Sequence, residues 1–308
     1  MSDGPFAYRL FGLRVSSELP LPELGPPLPP EAADVTIRRG AVAAAPDAPL
    51  GLSIRDDGAL LRIAQVGRYL VAGGRDLLVD ADPSASPRNL RLFLLGSAFA
   101  AILHQRGLLP LHANAMVVAG RAIGFMGRSG AGKSTLAAWF HDRGFEVLAD
   151  DVCIVTWDGS GRPLAHPGIP RLRLWREALE ASGRRAGDYE AAFDDMDKYN
   201  VPTERGPARS PVPLDHLYLL EEAAAGAEAE IARLTGSDAV AALVANTYRG
   251  GYLPLMDRTG PHLMDCVRLA RAVPVFTARR PWDLARLDAG SAALEAHARA
   301  LIERRETR

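Results

Sequence analysis

The stretch IGFMGRSGAGKSTL, Ile123 to Leu136, decides the fold. Within it Gly127, Arg128, Ser129, Gly130, Ala131, Gly132, Lys133 and Ser134 fill the pattern G-x-x-x-x-G-K-[ST] without a gap, and Thr135 follows. Glycines at three of those positions let the backbone curl so that successive N–H groups face one anion. An apolar strand (Ile123 to Met126) leads in, and a helix carrying Leu136, Ala137 and Phe140 leads out and stops at Gly144. Such a helix adds its positive N-terminal dipole to the anion site. Lys133 supplies a point charge for β- and γ-phosphates, and the Ser134 hydroxyl can ligate Mg²⁺. The expected ligands are therefore ATP and Mg²⁺, on an α/β core.

Downstream, FEVLADD (Phe145 to Asp151) is an apolar strand that delivers two adjacent carboxylates. Apolar flanks on both sides (Val147, Leu148; Val152, Ile154) mark Asp150 and Asp151 as desolvated rather than as a solvated strand end. Alternating strand geometry would aim them differently, so that one can hold a metal and the other accept a proton. Upstream, Leu111 to Val118 and Arg121 to Met126 are two strand-like runs split by Ala119-Gly120, which predicts a β-hairpin rather than a crossover.

Residues 112 to 156 resemble the catalytic domain of HPr kinase/phosphorylase, a bacterial protein-serine kinase related in fold to ATP-dependent phosphoenolpyruvate carboxykinase. The shared order is His112, the hairpin, the loop at 127 to 134, the helix, and a strand ending in Ala149, Asp150 and Asp151. The resemblance implies that Asp150 is the base that takes a proton from a substrate hydroxyl. It also implies that Asp151 joins Ser134 at Mg²⁺ and that His112 lies near the transferred phosphate. Without it, a histidine in an apolar segment reads as a core residue. After the Asp pair that family carries a Glu-containing, Gly-rich signature. Here the chain reads PGIPRLRLW, Pro167 to Trp175. Together with LLPLH (Leu108 to His112), this segment resembles the HPr kinase-like proteins encoded with ribosomally made peptides, including kinases of lasso peptide precursors. Arg171 and Arg173 fall on one face of an extended strand, where they could clamp a phosphate or an acidic group, or simply face solvent. Lys198 and Arg249 read as surface charges as readily as phosphate ligands.

Residues 1–86 alternate in short segments (Phe6 to Val15, Val35 to Arg38, Leu60 to Val66, Tyr69 to Ala72, Asp76 to Val79) between Gly, Pro and Asp clusters. They predict a β-rich N-terminal domain, with residues 87–308 as the catalytic domain. Prolines 20 to 30 predict a surface loop. Helical period from Ser86 to Gln105 predicts a helix bridging the two units, with Leu90, Phe93, Leu94, Ala98, Ala101 and Ile102 on one face. Ser237 reads as the N-cap of a helix over Ala239 to Tyr248, and a terminal helix is expected over Ala292 to Arg305. Residues 183–212, charged and rich in Gly and Pro, read as a substrate-facing flap or a long loop.

The 308 residues carry 36 basic and 37 acidic side chains, a net charge of −1 that gives no pull towards nucleic acid or membrane. The opening MSDGPFAYRLFG lacks the basic and apolar regions of a signal peptide, and the apolar run from Phe93 to Leu103 is half a membrane span. A cytoplasmic protein is expected. Cys153 and Cys266 lack metal-ligand spacing, and Cys153, in the apolar run Val152 to Val155, reads as a buried reduced thiol. Partners would be a peptide or small protein with an acceptor serine, and a homo-oligomer is compatible with the sequence. Three functions compete: a serine kinase of such a peptide, a small-molecule phosphotransferase of carboxykinase-like type, and a non-catalytic nucleotide-binding regulatory module.

Overall fold

The alternating segments of the N-terminal third form a seven-stranded sheet in the order β1-β2-β3-β7-β6-β5-β4. Its strands are β1 (Phe6–Leu10), β2 (Leu13–Ser17), β3 (Val35–Arg39), β4 (Gly51–Arg55), β5 (Gly58–Ile63), β6 (Gly67–Ala72) and β7 (Asp76–Ala81). The structure is a computed structural model that describes residues 5–43, 49–194, 196–203, 210–224, 226–281 and 286–307. The segment read as one strand from Phe6 to Val15 is instead a hairpin, because Phe11 (φ 55°) and Gly12 (φ 82°) turn the chain between β1 and β2. Strand β4, at the far edge, was not anticipated. The proline-rich loop lies along β1, where the Leu28 amide donates to the Ala7 carbonyl at 2.8 Å.

Ser86 caps the bridging helix, its Oγ accepting from the Asn89 amide at 3.2 Å. The segment comprises α1 (Pro87–Phe93), a π-helical turn (Leu94–Ala98) and α2 (Phe99–Gln105). Leu90, Leu94, Leu95, Ala98, Phe99 and Ile102 share one apolar cluster with Tyr69, Val71 and Leu77 of the first sheet and with Val152 and Ile154. The π turn contains Gly96 and Ser97 and shifts the helical register, which keeps Leu94, Leu95, Ala98 and Phe99 buried across it. The Tyr69 hydroxyl, donating to the Leu90 carbonyl at 2.9 Å, pins α1 to the sheet.

The second sheet begins with β8 (Leu109–Leu111), β9 (Ala113–Val118) and β10 (Arg121–Met126). The expected hairpin is present, with Val118 opposite Arg121 and Ala113 opposite Met126. Helix α3 (Lys133–Asp142) follows, then β11 (Glu146–Ala149), β12 (Cys153–Trp157), β13 (Pro163–His166), β14 (Arg171–Trp175), α4 (Arg176–Ala181), β15 (Glu190–Ala191), β16 (Lys198–Pro202) and β17 (Val212–Glu222). The chain continues through β18 (Glu230–Leu234), α5 (Gly236–Ala245), α6 (Tyr252–Leu255), α7 (Thr259–Ala272), β19 (Val275–Arg280) and α8 (Leu287–Glu306). Strand β10 runs parallel to β17, and β17 parallel to β19, so the carboxyl ends of all three lie at one edge. Period-two alternation buries this sheet on both faces. Met116, Val118, Ile123 and Phe125 pack with α3 and α8, while Ala113, Ala115, Ala122 and Met126 pack with α5 and α7. The protein is thus mixed α/β with, among the described residues, three sheets.

Three expectations need correction. Part of the segment read as a flap or loop at 183–212 forms the third sheet, β14-β16-β15, with Arg173 opposite Asn200; positions 204–209 lie outside the described residues. Helix α5 starts at Gly236 after Thr235, so Ser237 does not cap it. It ends at Ala245 because Thr247 and Tyr248 are drawn to β8, where the Tyr248 amide donates to the Pro110 carbonyl at 2.9 Å. Helix α8 starts five residues earlier than expected, since Gly290 and Ser291 do not break it. Among the described residues no helix is long and apolar enough to cross a membrane. Cys153 and Cys266 are both buried, and burial pushes each thiol up to about 12.

Because Phe99 is fully buried between α2 and the first sheet, Phe99→Ala should lower the unfolding free energy by about 3–5 kcal/mol. Denaturant titration checks this. Met264→Ala, at a side chain 65% exposed, should change it by no more than about 0.5 kcal/mol.

Candidate functional site

Strand β10 ends at Met126 and the chain turns at Gly127, whose amide donates to Asn246 Oδ1 at 2.9 Å. A Cβ at Gly127 would lie 2.9 Å from the Leu220 carbonyl oxygen of β17, and φ is +146°, so no other residue fits there without strain. Arg128, Ser129 and Gly130 are exposed and Ala131 is buried, its amide donating to the Arg128 carbonyl at 3.1 Å. Arg128 also pairs with Glu222 at 3.1 Å. Gly132, at φ +78°, caps α3, and Ser134 and Thr135 are half-buried in its first turn. The first amides of α3 have no partner inside the helix and are aimed at the loop. Lys133 is buried, and its Nζ donates to the Gly127 and Arg128 carbonyls at 2.6 and 3.1 Å. A curled loop, free helix amides and a lysine at its centre can hold an anion.

The two carboxylates sit beside that loop in contrasting surroundings. Asp150 is 9% exposed; its Oδ1 accepts from Asn114 Nδ2 at 2.8 Å and its Oδ2 from the Arg173 amide at 2.7 Å. Burial first, and then the charge of Asp151, push its pKa up to about 6. Asp151 lies in the left-handed region at φ +72°, with its amide donating to Asn114 Oδ1 at 3.1 Å. Its carboxylate is 3.5 Å from Arg173 Nη1 and 3.4 Å from His112 Nδ1. Burial acts to raise its pKa, but Arg173, His112, Lys198 and Lys133 outweigh burial and hold it below the ordinary carboxylate range. The strand alternation expected to aim the pair does not do so. Strand β11 stops at Ala149, and the left-handed turn at Asp151 separates the two side chains.

His112 donates from Nδ1 to the Asp151 carbonyl at 3.0 Å, and burial lowers its pKa against the opposing pull of Asp151. Arg171 and Arg173 project from the same face of β14, both half-buried. Burial and the neighbouring Arg173 lower the pKa of Arg171, while Asp150 and Asp151 support its charge. Lys198, opposite Trp175 on β16, acts electrostatically on Asp150, Asp151, Lys133 and His112. Four cations thus surround two carboxylates, a local excess that the chain's net charge of −1 conceals. Arg249 is exposed, with its guanidinium 5.8 Å from the Tyr248 ring, which in turn lies 6.1 Å from the His112 ring.

Three structural partners escaped the sequence reading. Asn114 holds both the Asp150 side chain and the Asp151 amide, and its spacing of two from His112 on an extended run was the available signal. Asn246 binds the Gly127 amide through its side chain and the His112 amide through its carbonyl at 2.7 Å. Arg280, at the end of β19, reaches the Gly132 carbonyl at 3.4 Å. No local pattern marks the latter two, which come from 119 and 148 residues away.

No protein-family model and no curated protein matches the chain. Among solved structures it is similar to the HPr(Ser) kinase/phosphatase from Coxiella burnetii, at 14% identity and a TM-score of 0.38, over 64% of this chain and 93% of that one. A likeness of that size carries no argument for chemistry, which must come from the site.

Carbon-13 NMR titration of the metal-free protein should place the Asp150 midpoint at about 6 and that of Asp151 below the usual range. Asp151→Asn removes a neighbouring anion and so should lower the Asp150 midpoint. Burial, the larger cause, should still keep it above the ordinary value of about 4. A wild-type Asp150 midpoint near that ordinary value contradicts this electrostatic picture.

Proposed function

We propose that this protein is a Mg²⁺- and ATP-dependent kinase that transfers the γ-phosphoryl group to a serine hydroxyl of a peptide or small protein. The observation that carries the reading is the pairing of a buried, raised-pKa Asp150 with an ionised Asp151 beside the glycine loop and Lys133. Two carboxylates of opposite tendency suit two tasks, one to accept a proton and one to stay anionic.

The residues present fit the ligands. The loop turns and the α3 amides offer a phosphate cradle, and Lys133 needs only to exchange two carbonyl partners for phosphate oxygens. Among the described residues no group of three or more His, Cys, Asp or Glu could by itself hold a metal ion. Mg²⁺ does not need one, since it is commonly bound through one or two carboxylates plus substrate phosphates. Asp151 and Ser134 would hold it. When bound, Mg²⁺ neutralises charge on the triphosphate and orients it.

In the proposed reaction Asp150 accepts the proton of the serine hydroxyl as its oxygen bonds to the γ-phosphorus, and the bond from that phosphorus to the β,γ-bridging oxygen breaks. Asn114 and the Arg173 amide hold the Asp150 carboxylate in place. Lys133, Arg173 and Lys198 offset the charge spread over the transferred group. His112, tethered to the Asp151 carbonyl, lines the same space. The acceptor we favour is a serine of a ribosomal peptide precursor, such as a lasso peptide precursor, on the resemblance at residues 108–112 and 167–175. Arg171 and Arg173, paired on β14, equally suit an acidic small molecule, which is the second reading. Labelled ATP offered with precursor peptides and with a metabolite panel separates the two.

Asp150→Asn should cut transfer by at least about a hundredfold while leaving ATP affinity within about threefold. Wild-type transfer should rise with pH through about 6, because only ionised Asp150 accepts a proton. Full phosphorylation by Asp150→Asn would remove Asp150 from the base role.

A further inference from the structure

Arg280 ends β19 on the flank of the loop opposite the carboxylates. The strand order across this region is β11-β9-β10-β17-β19, which places Asp150 and Asp151 beyond β11 on one side and Arg280 on the other. Arg280 is only 5% exposed, yet among the described residues no carboxylate lies within ion-pair distance of it. Its Nη2 makes one long contact, 3.4 Å to the Gly132 carbonyl, and its Nε finds no partner among the described residues. Burial accordingly lowers its pKa. Gly132 itself testifies to the closeness of this cation, because a Cβ there would meet Nη2 at 2.8 Å. On the other side, a Cβ on Gly290 of α8 would lie 3.7 Å from Arg280 Cδ, so that helix leaves room for the stem. A buried guanidinium without a counter-charge is costly, and the ten-residue helix α3 presents its N-terminal amides one residue away. Among the described residues no anion offsets this guanidinium, and one that bridged those amides and Arg280 would do so.

We propose that Arg280 grips the α-phosphate of the bound nucleotide and so fixes the direction in which the nucleotide lies across the loop. The inference rests on the nucleotide reading above. The transferred γ-phosphate must lie near Asp150, so the nucleoside end extends over the β17 and β19 side, in line with ligand binding outside the carboxyl ends of parallel strands. Arg280 meets the first phosphate on that side. Lys133 and Arg173 serve the far end, where charge changes during transfer. Arg280 therefore contributes to holding the nucleotide and equally to holding the product diphosphate.

The test needs no acceptor. Calorimetry with Mg-ADP and Mg-ATP is run on the wild type, Arg280→Gln and Arg280→Lys, each checked for folding by circular dichroism. Arg280→Gln should weaken both nucleotides equally, by about tenfold or more, and Arg280→Lys should recover part of that loss. Phosphorus-31 NMR of bound Mg-ADP should show the α resonance displaced in both variants with the β resonance unmoved. Unchanged affinity in Arg280→Gln, a loss confined to ATP, or displacement of the β resonance as well, as a distorted loop would produce, overturns the assignment. A wild type that binds neither nucleotide overturns the kinase reading itself. Binding by the wild type with Arg280→Gln unaffected overturns only Arg280.

Discussion

A carboxylate can be kept out of water only where donors replace the water it loses, and the arrangement around Asp150 follows from that constraint. Asn114 on β9 and the Arg173 amide on β14 supply the donors, so three separate strands must converge for the side chain to be tolerated. The same convergence places Arg173 over Asp151 and orients Asn114 towards the Asp151 amide. One asparagine therefore holds both members of the pair, and the left-handed Asp151 aims them apart. The opposed pKa directions arise from this packing: Asp150 faces protein donors and its neighbour's charge, whereas Asp151 faces cations.

The parallel strands β10, β17 and β19 provide the other half of the site. Their carboxyl ends form an edge at which the glycine loop turns back, pressed so close to Leu220 that a side chain at Gly127 has no space. The loop is thus held from both flanks, by Asn246 at its start and Arg280 at its end. Positive groups gather there although the chain as a whole is near neutral. Attraction for a polyphosphate then comes from local placement.

What the sequence made legible was local. The hairpin, the loop, α3 and the strand before Asp150 are each encoded within a few residues by alternation, turn chemistry and helical period. Helical period announced the segment that Ser86 caps, whereas Ser237, which read as a cap, was bypassed when α5 began at Gly236 behind Thr235. Strands β15 and β16 were hidden because their partners are distant β14 and each other, and because their surroundings are charged and rich in glycine and proline. Asn246 and Arg280 were invisible for a stronger reason. Each acts through contacts made across more than a hundred residues, and nothing nearby in the chain distinguishes it from an ordinary helix-end asparagine or strand-end arginine.

The most direct test of the account is a crystal structure with a non-hydrolysable ATP analogue and Mn²⁺, read by its anomalous signal. The account predicts the triphosphate on the 127–134 loop, Lys133 Nζ transferred from the Gly127 carbonyl to phosphate, the metal between Asp151 and Ser134, and Asp150 facing the γ-phosphate without touching the metal. An analogue bound away from the loop, or a metal seated on Asp150, would contradict it.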